Sequence, residues 1–217
     1  MTKWFNTNYH YIVPEINPDT KFKLNAAKPL DAFQLAQSLN IQTRPVILGP
    51  VTFLLLSKSD VPDFQPISRL NELLSLYDEL FRKLRKEGAS WVQLDEPFLA
   101  CDLNRDQVAA YKQMFAYFKE NIPTLKVMLT AYFGDMSENN ELITASPFDG
   151  LHIDLTNCSD PDRLLSALPD SQLVSLGLID GRNVWKNDLE HTLNTIKGIH
   201  ERYGFQDMLI SPSCSLL

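Results

Sequence analysis

Two rhythms of apolar residues take turns along this chain. Short unbroken runs read as strands of a parallel sheet, and longer stretches with apolar side chains three and four apart read as amphipathic helices. The helical rhythm is plainest where Leu70, Leu73, Leu74, Tyr77, Leu80, Phe81 and Leu84 share one face, with Ser68 as the expected N-cap and Gly88 as the stop. A shorter stripe of Ala32, Phe33, Leu35, Ala36 and Leu39 predicts a helix from Pro29 to about Leu39, with Asp31 suited to its first turn. Asn104 followed by Gln107 has the form of a capping box. It opens a helix whose face is Val108, Tyr111, Met114, Phe115 and Phe118, with Pro123 in the loop beyond. Further helices are expected from about Asn139 to Thr144, from Asp160-Pro161, where proline takes the first helical position, and from about Asp188 to Tyr203 before Gly204.

Strand-like runs fall between these helices at 45–50, 91–94, 127–134, 150–155, 173–183 and 208–214. The first is wholly apolar and is expected to be buried on both faces, with Gly49 marking a backbone approach too close for a side chain. Residues 51–57 are apolar too, and 62–66 read as a loop. The aromatic and polar residues 1–14 show no helical period and predict an extended or hairpin segment, with Lys21-Phe22-Lys23-Leu24 as a second arm. Strand and helix alternating throughout defines an α/β fold of the TIM-type (β/α) barrel class. About six strands stand where a complete barrel has eight, so the barrel is expected to be incomplete. Residues 1–27 would form the extended segment at its mouth and residues 28–217 the partial barrel.

The run Trp91-Val92-Gln93-Leu94-Asp95-Glu96-Pro97 carries the first candidate chemistry. It delivers two carboxylates to the C-terminal end of a strand, where parallel α/β folds meet their ligands, and proline then stops the ladder. Neighbours in an extended segment point to opposite sides, so Asp95 and Glu96 cannot face each other as an acid/base pair. A carboxylate capping a nearby turn is the plain structural alternative. Asp154 and His152 on one strand, and Asp180 with Arg182 after another, are further candidates for the mouth.

Charge narrows the partners. A formal net charge of -7 disfavours nucleic-acid and anionic-membrane surfaces. The basic run 82–86 falls at the end of a predicted helix, where it would compensate the helix dipole. Cys101, Cys158 and Cys214 form no CxxC pair, and no leader pattern or membrane-length apolar run is present, so a reducing cytoplasmic compartment is expected.

Several stretches in order resemble the N-terminal half of cobalamin-independent methionine synthase. They are Thr2 through Tyr11, Leu48-Gly49-Pro50-Val51-Thr52, Val92-Gln93-Leu94-Asp95-Glu96-Pro97, Gly150-Leu151-His152-Ile153-Asp154-Leu155, the specific run Gly177 through Trp185, and Ser211 through Leu217. The resemblance covers essentially the whole chain. It implies a methyltransferase family of methionine biosynthesis that moves a methyl group from polyglutamylated 5-methyltetrahydrofolate to homocysteine on a zinc-activated thiolate. It further implies that zinc and homocysteine belong to a C-terminal catalytic half, and that this chain begins after the family's first two barrel strands. On that resemblance this portion alone is a scaffold with no catalytic residue, no metal ligand and no cofactor of its own. Lys3 matches a lysine used on the folate glutamate tail, a role that suits a flexible point charge. Asn8, Asp95, Glu96, His152, Asp154, Asp180 and Arg182 are the remaining mouth residues. No zinc role carries over to Cys214, because Thr130-Ala131-Tyr132 stands where the family's histidine and cysteine would be wanted. The alternative class is an independent small-molecule barrel enzyme using the mouth carboxylates. Open sheet edges would also favour self-association.

Overall fold

The computed structural model describes residues 1–122 and 124–216, so the loop expected at Pro123 lies outside the described residues. The chain divides into two compact units, Met1–Glu96 with Asn104–Val127, and Pro97–Leu103 with Met128–Leu217.

The first unit opens with a small antiparallel hairpin, β1 (Thr2–Lys3) and β2 (His10–Tyr11), in which Lys3 pairs with His10. Trp4 packs edge-on against Phe5 and Tyr11, with ring centroids 5.0 and 5.2 Å apart, and the buried Thr7 hydroxyl donates to the Trp4 carbonyl at 2.6 Å. The aromatic rings of this segment pack on one another while remaining partly exposed, and Tyr9 is 61% exposed. Lys21–Leu24 forms no strand, contrary to expectation. Arg69 instead ties the preceding stretch down, donating to the carbonyls of Asn17, Pro18 and Thr20 and stacking over Phe22 at 5.2 Å.

Helix α1 (Ala27–Ser38) leads to β3 (Val46–Leu48), α2 (Pro50–Leu56), α3 (Leu70–Lys86), β4 (Trp91–Asp95) and α4 (Arg105–Asn121). β3 and β4 pair in parallel, Val46 opposite Gln93 and Leu48 opposite Asp95. Two expectations need correction here. Val46 is 56% exposed, so β3 is not buried on both faces, and Leu35 of α1 and Leu39 at its C-cap are 62% and 61% exposed, leaving Phe33 as the buried anchor of that helix. An apolar run records what could be buried, not what covers it.

α3 buries the face its spacing predicts, Leu70, Leu73, Leu74, Leu80, Phe81 and Leu84, and Phe81 meets Phe118 of α4 at 5.7 Å. Ser68 is not its N-cap: a 3-10 turn, Pro66–Arg69, precedes the helix, and the Ser68 hydroxyl donates back to the Gln65 carbonyl. Lys83, Arg85 and Lys86 occupy the last turn, where cations oppose the exposed carbonyls, and Gly88 follows at φ +97°, a conformation open to glycine. The capping box at Asn104 and Gln107 forms in both directions.

β5 (Lys126–Thr130) carries the chain into the second unit, which continues through α5 (Asn140–Thr144), β6 (Gly150–Asp154), α6 (Pro161–Leu165), β7 (Leu173–Ile179), α7 (Leu189–Tyr203) and β8 (Met208–Pro212). Its strands are parallel and consecutive: Thr130 lies opposite His152, His152 opposite Ser175, and Gly177 opposite Ser211. Asp160 caps α6 through the Arg163 amide at 3.0 Å, with Pro161 at the first helical position, and Gly204 ends α7 at φ +69°. Among the described residues these strands, β3 to β8, number six, as read from the sequence.

Candidate functional site

In the first unit, β4 sends its two terminal carboxylates to different fates. Asp95 is half-buried and ends a polar chain: Arg44 donates to Gln93 Oε1 at 3.2 Å, and Gln93 Nε2 donates to Asp95 Oδ1 at 2.8 Å. Burial lowers the Arg44 guanidinium from its ordinary range while the Asp95 charge pulls it back. Glu96 is completely buried. Its Oε1 accepts from the Val51 amide at 3.0 Å and its Oε2 from the Thr52 amide at 2.8 Å, the first turn of α2. The Tyr111 hydroxyl of α4 adds a bond of 3.0 Å to Oε2, and the Thr52 hydroxyl bonds the carboxyl as well. Gly49, just before α2, has no side chain with which to cap it, so Glu96 caps that helix from 45 residues away. Any side chain at position 49 would collide with this carboxyl, since a Cβ there would stand 2.1 Å from Glu96 Oε1. The close approach foreseen at Gly49 is therefore an approach to a carboxylate. Burial pushes Glu96 up to about 7, against the opposing pull of its donors from Thr52, Val51 and Tyr111.

Lys3 and Asn8 stand exposed on the hairpin of the same unit, Lys3 on β1 and Asn8 in its turn, where the Asn8 carbonyl lies 3.2 Å from His10 Nδ1.

In the second unit the strand ends gather His152, Asp154, Asp180, Arg182, Ser213 and Cys214. His152, buried on β6, spans 2.9 Å from Nδ1 to the Ser175 hydroxyl and 3.2 Å from Nε2 to the Ser213 carbonyl. A carbonyl only accepts, so Nε2 carries a proton, and in the neutral ring Nδ1 accepts from Ser175. A Cβ on Gly177 would stand 2.8 Å from the Ile153 carbonyl, 2.9 Å from Ser213 Cα and 3.0 Å from the His152 ring, which explains the small residue there. Asp154, at the end of β6, is buried and accepts from the Thr156 amide and hydroxyl at 3.1 and 2.7 Å, Asn157 Nδ2 at 2.8 Å and the Phe133 amide at 3.3 Å. Asp180 folds the exposed loop after β7 by accepting from the Arg182 amide at 2.8 Å and from the Asn183 side chain, while Arg182 lies over the Phe133 ring at 5.6 Å. Burial pushes the Cys214 thiol up, Ser213 draws it back, and the Asp154 charge raises it further. The thiol hydrogen points to the Ser215 carbonyl at 3.4 Å.

These residues do not fit a metal. Both nitrogens of His152 are engaged, Asp154 is filled by its own loop, and among the described residues no three or more His, Cys, Asp and Glu side chains gather as ligands.

Sequence reasoning missed Thr52, Tyr111, Ser175 and Ser213. Ser175 had a signal, a polar residue in register with His152 inside an apolar run. Tyr111 had none, because its helical spacing assigned it to the core, where it lies with its hydroxyl on Glu96.

Parallel strands with helical crossovers, and polar side chains at the strands' C-terminal ends, define an α/β protein of the kind that builds sites from strand ends. Residues 1–204 match the family described as cobalamin-independent synthase, N-terminal domain, and the chain belongs to that family. Relatives named 5-methyltetrahydropteroyltriglutamate–homocysteine methyltransferase include those of Mesorhizobium japonicum, 47% identical over 218 residues, and Caulobacter vibrioides, 44% identical over 218 residues. Each match covers 100% of this chain and 28% of the relative, so the chain spans under a third of their length. Among solved structures, a B12-independent methionine synthase from Shewanella superposes with a TM-score of 0.74 at 16% identity, covering 93% of this chain and 62% of that one, a likeness of fold. Among the described residues no helix is long and apolar enough to cross a membrane.

Proposed function

We propose that this chain is a scaffold portion of the N-terminal half of a cobalamin-independent methionine synthase and supplies part of the binding surface for a folate polyglutamate tail. The observation that carries this reading is the identity of 47% along the whole chain with a relative whose name specifies a pteroyltriglutamate and homocysteine. In this reading methyl transfer, homocysteine and zinc belong to a C-terminal catalytic half, which is this portion's partner, and the enzyme works in the cytoplasm.

Lys3 is the tail-binding residue, with Asn8 beside it on the hairpin and the 1–27 segment presenting both at the mouth of the partial barrel. An exposed ammonium on a short hairpin suits a string of carboxylates, which demands charge more than strict geometry. Asp95, Glu96, His152 and Asp154 hold strand ends, and Asp180 and Arg182 shape the loop after β7. Isothermal titration with triglutamylated 5-methyltetrahydrofolate tests the reading. Weak, salt-sensitive binding that disappears in Lys3→Ala is the expected result. Undiminished binding by that variant, or none by the unaltered chain, overturns the tail site.

A further inference from the structure

Inside the second unit, between α6 and α7, lies a cavity of 460 Å3 that tail binding does not use. Leu155 and Leu178, each only half-buried, give it an apolar wall. Asn187 and Thr192 line it too, joined by a bond of 2.9 Å that Asn187 Nδ2 donates to Thr192 Oγ1. That bond leaves two groups over. Among the described residues the Thr192 hydroxyl hydrogen has no acceptor and Asn187 Oδ1 no donor, although Thr192 is only 9% exposed. A buried hydroxyl ordinarily finds an acceptor, so a hydrogen left over at a cavity wall marks a place for one.

Two further features narrow the ligand. Gly198 puts no side chain on the wall formed by α7, although a Cβ there would meet no atom within 4 Å. Packing inside the unit does not require glycine at that place, and a helix interior disfavours it. At the far wall Arg202 and Tyr203 both donate to Asp162, clasping α6 to α7, while Asp188 accepts the His191 amide as the cap of α7. An anion would face both carboxylates. A neutral, flat ring suits the apolar wall and the donor and acceptor that stand side by side.

We propose that this cavity binds a neutral, flat heterocycle carrying an N–H beside a carbonyl, as the pyrimidine base of uridine does. The N–H donates to Asn187 Oδ1, the carbonyl accepts from the Thr192 hydroxyl, and the ring lies against Leu155 and Leu178. The site is independent of Lys3, which belongs to the first unit.

Isothermal titration of the full chain with uridine and with 3-methyluridine, in which a methyl group replaces the ring N–H, tests the proposal. Uridine should bind, and the methylated nucleoside should bind about tenfold more weakly or not at all. Thr192→Val, which removes the hydroxyl, should weaken uridine by a similar factor. Gly198→Trp should fill the cavity and abolish binding, while Lys3→Ala should bind uridine like the unaltered chain. No heat from millimolar uridine, equal binding of the two nucleosides, undiminished binding by Gly198→Trp, or a loss in Lys3→Ala overturns the proposal. Should Thr192→Val fail to fold, the methylated nucleoside and Gly198→Trp decide, because position 198 is exposed and a Cβ there meets no atom.

Discussion

Glu96 in the first unit and Asp154 in the second are the same kind of residue: carboxylates delivered by the C-terminal end of a parallel strand and removed from solvent. They are satisfied in opposite ways. Asp154 takes three of its four hydrogen bonds from Thr156 and Asn157, two and three residues ahead, and only the Phe133 amide comes from another strand's end. Glu96 takes all its bonds from α2 and α4, at separations of 45, 44 and 15 residues. A carboxylate served by its own loop is stable as soon as the loop forms. One served by distant elements is stable only when the unit has assembled, and it then becomes the join that holds the end of β4 to the start of α2. At Glu96 burial outweighs the donors and pushes the carboxyl up to about 7.

The sharpest way to break this contrast is Gly49→Ala. A methyl group 2.1 Å from Glu96 Oε1 and 2.2 Å from its carboxyl carbon forces that side chain off its position against its donors. Overpacking together with stranded amides should cost about 3–5 kcal/mol, read as a drop in the urea midpoint or as failure to fold. A midpoint within experimental error of the unaltered chain would mean that Glu96 is not the join described. Asp154→Ala comes next. It strands the Phe133 and Thr156 amides, but the loop is near solvent and water can reach some of these groups, so a loss of about 2 kcal/mol is expected. If it proves as costly as Gly49→Ala, local and distant satisfaction are energetically alike and the contrast fails.

The same difference decides what could be read in the chain beforehand. The box at Asn104 and Gln107, the proline after Asp160 and the apolar face of α3 are local patterns, and each appears where its spacing puts it. Asp154 followed by Thr156 and Asn157 is equally local, an aspartate turn in plain sight. Glu96 was legible as a strand-end carboxylate and as a residue turned away from Asp95, but not as the cap of α2, because nothing near residue 96 names residues 51 and 52. Residues 51–57 were likewise apolar without a period, and α2 exists because Pro50 fixes its first turn and a remote side chain receives its amides. Exposure was the least legible property. The strand run containing Val46 and the helical stripe containing Leu35 and Leu39 were read as core, yet burial depends on neighbours that spacing does not contain.

Asn104→Ala sharpens the contrast from its local end. It removes the acceptor of the Gln107 amide at the exposed start of α4, where water can replace it. About 1 kcal/mol is expected from the urea midpoint, well below either buried carboxylate. Gln107→Ala should cost less, because the Asn104 amide it leaves is also open to water.

Lys3→Ala closes the series as the substitution that should leave stability alone. Lys3 is exposed on β1, and the hairpin is fastened by the Trp4, Phe5 and Tyr11 rings and the Thr7 hydroxyl rather than by the ammonium. A change within about 0.5 kcal/mol is expected in the urea midpoint, while the heat of triglutamate binding is lost. The two readouts should therefore separate. If Lys3→Ala lowered both, the lysine would belong with Glu96 as part of the assembled unit, and its place as a free charge waiting for an anionic tail would have to be given up.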